Sequence, residues 1–454
     1  MRLDLLSREE HSASRRFLIS SAIWFVIATL WGMASAIHLF APDVFRNIPY
    51  LEFGRMRPVH TNLMLFGFVS LALVGGGLYV APVMLRTRLY GERLANLAMW
   101  LWNLALLVGT TALPYGFTQG REYAELIFPA KLLLLASLLL LLYVLVMTVM
   151  RRREPLLYVS VWYICGAVLW TTLIYPLGNV MWHPQTGALM GTVDAIWLWF
   201  YGHNIFGLLL TPLALGMAYY IIPRVAKAPL YSHTLSLVGF WSLLAFYTHI
   251  GTHHLIQAPV PTWLKTVSIV DSIGMLIPVT TVLVNLWLTA KDRLGNFLES
   301  VPGKFVFTGT VWYLVTCIQG PMQSLPSVQT YTHFNNWVIG HAHIAVAGFS
   351  GFIALGTLWY VLPLVSGRRL YRTSLVNVQF WLILIGIVGF FAVLTAAGLI
   401  QGAAWANGAT VYRALPLISP YMGLRVLFGV LIVASALVGL YNVSMTLTRG
   451  EKAP

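Results

Sequence analysis

The sequence predicts an all-α polytopic membrane protein with about twelve transmembrane helices, and three observations predict it. Of 454 residues, 58% are apolar and only 9% are charged, whereas about a quarter of a soluble domain is charged. The apolar residues gather into runs long enough to cross ~30 Å of hydrocarbon. The few charges fall between these runs. Lipid tolerates uninterrupted apolar helices and no exposed backbone, so helices are the form the runs take. The same figures exclude a soluble enzyme, a disordered chain and a secreted disulfide scaffold. Cys165 and Cys317 lie inside apolar runs and say little about redox compartment.

Twelve runs follow in order, most of them bounded by basic residues. The first, roughly 17–40, comes after a polar, charged stretch over 1–14 and is too long for a signal-peptide core, so it reads as a retained helix. The second, 60–84, stops before Arg86 and Arg88; the third, 94–114, starts after Arg93. The fourth, 127–150, ends at Arg151, Arg152 and Arg153, and the fifth spans 156–178. The sixth, 194–222, ends before Arg224; the seventh is 234–257; the eighth, 266–290, ends before Lys291. The ninth, 305–320, follows Lys304, and the tenth, 336–365, precedes Arg368. The eleventh, 374–400, follows Arg372, and the twelfth, 421–447, precedes Arg449. No linker, low-complexity segment or repeat divides them, so one domain over 1–454 is expected.

The chain carries 28 Lys and Arg against 14 Asp and Glu, a net charge of +14. In a soluble protein that excess would point to nucleic acid. Here 20 of the 28 fall at the two termini and in the even-numbered loops. The positive-inside rule then places both termini in the cytoplasm and leaves no role for nucleic acid.

Ionisable groups inside apolar spans are expensive and usually functional. Of twelve histidines, the informative ones are His60, His203, His249, His253, His254, His341 and His343, on the second, sixth, seventh and tenth runs. With the N-terminus inside, all fall in the outer half of the membrane. His341 and His343 are two positions apart, ~200° around a helix, so they face opposite sides and suit two different metals. His253 and His254 are adjacent, ~100° apart, and reach one metal if the helix end loosens. Neutral imidazole suits copper, iron and zinc, and histidine is a standard axial ligand of haem iron. Two haems flanking one helix, beside a multi-histidine metal, is the economical reading.

These residues sit in longer stretches that resemble a known family: Phe53–Thr61 (FGRMRPVHT), Gln119–Glu125 (QGREYAE), Asp194–Asn204 (DAIWLWFYGHN), Tyr247–Leu255 (YTHIGTHHL), Gly320–Met322 (GPM) and Asn336–His343 (NWVIGHAH). Together they resemble subunit I of the haem-copper oxygen reductases, most closely the cbb3-type (C-family) cytochrome c oxidases. Nitric oxide reductases share the ancestry and much of the pattern. The resemblance implies that His60 and His343 are axial ligands of a low-spin haem b, and that His341 is the proximal ligand of a high-spin haem, b-type in this family. His203, His253 and His254 would hold the non-haem metal, copper in an oxidase or iron in a nitric oxide reductase. Arg55 and Arg57 would neutralise haem propionates, their plain alternative being ordinary interfacial arginines. Glu122 and Glu125 match a calcium-associated position, the plain alternative being a salt link from Arg121. Tyr247, six residues before His253, matches a tyrosine covalently linked to the metal-ligating histidine of the preceding span, here His203. A redox-active phenol can supply one electron and one proton to O–O cleavage, which NO reduction does not need.

Departures from the family pattern matter as much. Typical nitric oxide reductases carry a glutamate ligand four residues after the sixth-span histidine; here Gly207 stands there. Typical cbb3-type oxidases carry a glutamate just before GPM; here it is Gln319, which does not exchange protons. His249 shares a helix face with His253 and offers a competing ligand, a supporting hydrogen bond or mere packing. Asp271 reads either as a functional intramembrane acid or as a solvated carboxylate near the boundary. The expected function is therefore a terminal reductase of the bacterial inner membrane, turning O2 into water; the alternative is a divergent nitric oxide reductase forming N2O. No C-x-x-C-H occurs in the sequence, so electrons are expected from a c-type cytochrome or another donor on the outer face. A secondary transporter also suits twelve spans but does not explain the matched histidines.

Overall fold

A computed structural model describes residues 4–180 and 189–452. Every regular element among them is helical; the one β contact is an isolated antiparallel bridge between Arg368 and Lys452. Eleven helices are long and apolar enough to cross a membrane: α1 (Ser12–Phe40), α2 (Phe53–Met84), α3 (Glu92–Tyr115), α4 (Phe128–Met150), α5 (Val159–Asn179), α6 (Gly191–Ala226), α8 (Thr262–Glu299), α9 (Val301–Ser324), α10 (Asn336–Ser366), α11 (Thr373–Ala406) and α12 (Val411–Arg449). The remaining apolar helix, α7 (His233–Tyr247), is shorter. It gives way to a separate 3-10 turn over Ile250–Leu255. The twelve expected runs thus match twelve helices, one of them truncated.

The differences in extent have local causes. Helix α2 begins seven residues before the expected run, with Glu52 extended ahead of it, and so carries Arg55 and Arg57 on its first turns. Helix α12 begins ten residues early because Pro416 and Pro420 sit within an otherwise continuous helix. Helix α7 stops where the sequence turns to Thr248, His249 and Gly251. The tighter 3-10 winding there re-aims two adjacent histidines, the loosening that a shared metal requires.

Burial separates a core from a ring. In α2, α6 and α10, 94%, 94% and 83% of the apolar window is buried, against 33–61% in the other long helices. A helix that is apolar all round belongs inside, and these three are. They converge at Gly76 on α2, where an added Cβ would lie 2.3 Å from Thr357 Cγ2 of α10 and 2.8 Å from Met217 Sδ of α6. Only a hydrogen fits between the three.

Each central helix also contains a widened π turn: Leu63–Val69 in α2, Phe206–Leu210 in α6 and Ile344–Ser350 in α10. Such turns are rare and concentrate at functional sites. The carbonyls they loosen are re-used. Trp102 Nε1 of α3 donates to Phe66 O at 2.9 Å and Ser70 Oγ to Leu65 O at 2.7 Å, as a buried backbone in lipid demands. Polar clasps tie the ring as well. Asn285 Nδ2 on α8 donates to Ser232 O at 2.8 Å, to Ser236 Oγ on α7 at 3.0 Å and, more distantly, to Tyr219 Oη on α6 at 3.5 Å.

Gly76→Val should therefore overpack the junction and destabilise by about 1–3 kcal/mol, seen as an earlier thermal transition of the detergent-solubilised protein. Gly295→Ala, where an added Cβ meets nothing within 4 Å, should leave that transition in place.

Candidate functional site

The informative histidines sit just before the π turns. His60 precedes the α2 turn by three residues, His203 precedes the α6 turn by three, and His343 adjoins the α10 turn. Three imidazoles thus stand at the entrance to widened turns within the most buried helices of the bundle.

His60 and His343 face each other across the bundle. Their ring centroids are 6.1 Å apart and their planes differ by 20°. His60 Nδ1–H donates to Ala28 O at 2.8 Å, and His343 Nδ1–H donates to Ile339 O at 2.7 Å. Carbonyl oxygens only accept, so each Nδ1 carries the proton and each Nε2 keeps a lone pair for a metal. A metal about 2 Å from each nitrogen would put two ring centres about 6 Å apart, which is the separation found. Gly32 of α1 makes this possible, since an added Cβ would lie 2.6 Å from the His60 ring. These two residues could hold one metal centre between their Nε2 atoms.

His341 points elsewhere, as the ~200° offset requires. Its ring stacks on Trp337 at 5.7 Å, and its Nδ1–H donates to Gln319 Oε1 of α9 at 3.2 Å. Gln319 thus stands beside His341 with its amide oxygen toward Nδ1. His343, by contrast, packs on Phe390 of α11.

His203, His253 and His254 form a trio whose candidate ligand nitrogens all lie within 4.8 Å of one another. Their ring centroids are 4.5, 4.6 and 5.1 Å apart, and His203 Nδ1 and His254 Nε2 approach to 2.9 Å. Among the described residues, this is the one group of three or more His, Cys, Asp or Glu side chains gathered closely enough to hold a metal. Supporting contacts hold it. His254 stacks on Trp199 at 3.8 Å, His253 Nδ1 shares a hydrogen bond with Ser272 Oγ at 2.8 Å, and Gln329 Nε2 donates to His253 O at 2.7 Å. An all-imidazole set suits copper, zinc or iron.

Tyr247 lies beside this trio. Its ring centroid is 4.9 Å from that of His203, with planes 22° apart. It occupies the room left by Gly207: a Cβ there would fall 1.6 Å from Tyr247 Cε1. No side chain at position 207 coexists with this placement of Tyr247.

His249 does not join the trio. Its side chain is 58% exposed and its Nδ1 lies 3.2 Å from Asp271 Oδ2. The two residues that the sequence left open, a competing ligand and an intramembrane acid, are each other's partners. The arginine pairings differ from the Arg121–Glu link that is the plain alternative for this stretch. Arg121 pairs with Asp194, while Glu122 pairs with Arg57. Arg55 Nη1 donates to Pro114 O at 2.9 Å. Glu125, the deeper of the two glutamates, accepts from Asn62 Nδ2 at 2.9 Å; burial pushes its carboxyl above the ordinary range despite that bond. The partners of Arg57 and Arg121 lie 65 and 73 residues away, beyond what local spacing reveals.

Gly207→Glu should displace Tyr247 and distort the trio. The expected outcome is a lower transition-metal content of the purified protein than in the parent, read by metal analysis.

The cytochrome c and quinol oxidase polypeptide I family matches residues 12–450. A cytochrome c oxidase subunit 1 homolog of Agrobacterium tumefaciens (strain T37) is 33% identical over 445 residues, covering 95% of this chain and 82% of that one. The cbb3-type cytochrome c oxidase subunit CcoN1 of Stutzerimonas stutzeri is 31% identical, covering 97% and 95%. A nitric oxide reductase polypeptide of the same organism is 24% identical over 87% of this chain and 85% of its own. In structure, a heme-copper terminal oxidase dimer aligns with a TM-score of 0.77 over 97% of this chain and 85% of that one, at 16% identity. With the helical bundle and the histidine constellation in place, the match across nearly the whole length has one meaning: the chain belongs to the cytochrome c and quinol oxidase polypeptide I family and is an oxidoreductase of the terminal-oxidase kind.

Proposed function

We propose that this chain is a single catalytic domain, residues 1–454, that reduces O2 to water in a bacterial inner membrane with both termini in the cytoplasm. The observation that carries this reading over NO reduction is the packing of Tyr247 against His203 in the space left by Gly207. A glutamate ligand at 207, as in typical nitric oxide reductases, has no room beside that ring.

The residues fit the groups that the family uses, on the observations above: paired lone nitrogens at His60 and His343, a buttressed His341 and a converged imidazole trio. When bound, a low-spin haem b on His60 and His343, a high-spin b-type haem on His341 and copper on His203, His253 and His254 supply electron transfer and an O2-reducing metal pair. The protein's own part is positioning and proton handling. The carbonyls of Ala28 and Ile339 fix which imidazole nitrogen is free on His60 and His343, and the Gln319 amide orients His341. Tyr247, linked or adjacent to His203, holds a phenolic proton and an oxidisable ring beside the trio. Reduction of O2 consumes four protons and four electrons, and Tyr247 can lend one of each before being restored. Gln319 does not exchange protons, so the intake falls to other groups. Ser232, Asn285, Ser236 and Tyr219 are bonded or in near contact between α6, α7 and α8, in the halves of α6 and α8 that lead to Arg224 and Lys291, and are candidates for part of that intake.

Arg55 and Arg57 stand at the same end of the bundle as the partners of two haem carboxylates, Arg57 sharing itself with Glu122. A calcium ion at Glu122 would likewise share that carboxylate with Arg57. Electrons would reach this face from a c-type cytochrome or another donor subunit.

Purified enzyme should contain one copper per chain, show reduced b-type haem bands and consume O2. Iron in place of copper, with NO turnover, would transfer the chain to the nitric oxide reductases. Tyr247→Phe should keep both haems and lower O2 consumption by about 10²-fold or more, the scale of a lost proton donor. Full turnover in that variant would sink the role given to Tyr247.

A further inference from the structure

Asp4–Glu10 form a strap that contains no helix, yet many hydrogen bonds tie it to the end of the bundle where α1 begins and α2 ends. Arg16 of α1 donates to Leu5 O at 2.6 Å, to Asp4 O at 2.5 Å and to Asn96 Oδ1 of α3 at 2.7 Å. Asn96 Nδ2 donates to Ser7 O at 3.1 Å, and Trp100 Nε1 of α3 donates to Leu5 O at 2.9 Å. Just beyond the strap, Glu92 of α3 accepts from His11 N at 2.8 Å, Ala13 N at 3.1 Å and Ser12 Oγ at 3.2 Å. A buried carboxylate thus satisfies the free N–H groups at the start of α1.

The strap walls one side of a cavity of about 330 Å³, whose charged lining is Arg8, Glu10, Arg88, Glu92 and Arg93. Three guanidinium groups meet two carboxylates there, and both carboxylates are engaged. Glu92 serves the start of α1. Glu10 lies 3.5 Å from Arg88 Nε in an exposed pair, which contributes little. Arg8 and Arg93 take part in none of the ion pairs among the described residues. The cavity therefore offers positive charge to an entering group, and guanidinium forks match phosphate oxygens.

The surroundings say which kind of phosphate fits. Trp100 and Tyr143 are exposed on the helix surfaces near this end. The hydroxyls of Tyr143 and Tyr90 are 3.3 Å apart, and the Arg151 guanidinium sits 4.4 Å from the Tyr90 ring centre. Such tryptophans and tyrosines mark the membrane–water boundary. The cavity is thus at the depth of lipid headgroups. Beside Arg8, the strap leaves Leu5 and Leu6 exposed. A soluble anion makes no use of apolar neighbours, whereas a phospholipid has acyl chains to lay against them.

We propose that this cavity binds the headgroup of an anionic phospholipid, with Arg8, Arg88 and Arg93 around the phosphate and Leu5 and Leu6 beside the chains. The site is separate from the histidines and independent of the metals they hold. The hydrogen bonds of Arg16, Asn96 and Glu92 keep the strap, and with it Arg8, in place.

The test is lipid binding to the delipidated holoenzyme in detergent, read by native mass spectrometry, with phosphatidylglycerol and phosphatidylcholine as probes. The parent should bind phosphatidylglycerol in preference to phosphatidylcholine. Arg8→Gln/Arg93→Gln should weaken phosphatidylglycerol by about 30-fold, the scale of two arginines at a membrane surface, and leave phosphatidylcholine unchanged. Arg8→Lys/Arg93→Lys should recover most of that affinity. Lys291→Gln/Arg293→Gln, which removes the same charge outside the cavity, should bind as the parent does. Equal affinity in the parent and Arg8→Gln/Arg93→Gln, or an equal fall in Lys291→Gln/Arg293→Gln, would overturn the proposal. So would displacement of the lipid by millimolar inorganic phosphate, the mark of a soluble-anion site.

Discussion

An imidazole in the middle of an apolar bundle has two nitrogens and no water, so the protein must satisfy one and leave the other to a ligand. The rest of the architecture serves this constraint. The carbonyls of Ala28 and Ile339 and the amide of Gln319 each take one Nδ1–H. Two of these acceptors belong to helices other than the one bearing the histidine, α1 for His60 and α9 for His341. Ring orientation is therefore a property of helix packing. Close approaches such as Gly32 against the His60 ring have a chemical purpose as well as a steric one.

The outer ring of helices can be understood from the same demand. Helices α2, α6 and α10 carry four of the six candidate ligand histidines and are nearly fully enclosed; the turn after α7 carries His253 and His254, and α1, α3, α8, α9 and α11 supply the groups that aim or brace them. Trp102 from α3 reaches a carbonyl in the α2 π turn, Ser272 from α8 reaches His253, and Phe390 from α11 supports His343. Such supporting groups commonly matter nearly as much as ligands themselves. The polar residues of this membrane protein are few, and most are spent in this way.

Much of this was legible in the sequence. Twelve apolar runs, most of them bounded by basic residues, correspond to twelve helices, because hydrophobic length in lipid admits few alternatives. The opposite facing of His341 and His343 was legible from a two-residue spacing, and the pairing of His253 with His254 from their adjacency. The neighbourhood of Tyr247 and His203 was legible from the family pattern alone, since nothing in the spacing of two residues so far apart in the chain implies contact. What was hidden depends on distant packing. Arg57 with Glu122, Arg121 with Asp194 and His249 with Asp271 are choices among several nearby opposite charges, settled only when helices dock. The early start of α12 was hidden because Pro416 and Pro420 read as helix stops, yet the membrane bundle accommodates them. The π turns left no trace in composition, since a widened turn needs a neighbouring donor more than a particular residue.

Those π turns divide each central helix into two halves with different tasks. One extra residue in a turn rotates everything beyond it by about 100° relative to a regular helix. The half before the turn is phased by the histidine, and the half after it is phased by contacts such as Gly76 against Thr357 and Met217. A ligand's aim and the interlocking of the core are thereby uncoupled along the same rod. Sequence drift on the packing side can re-phase one half without swinging a metal ligand out of line, so the scaffold can diversify while its inorganic chemistry holds still.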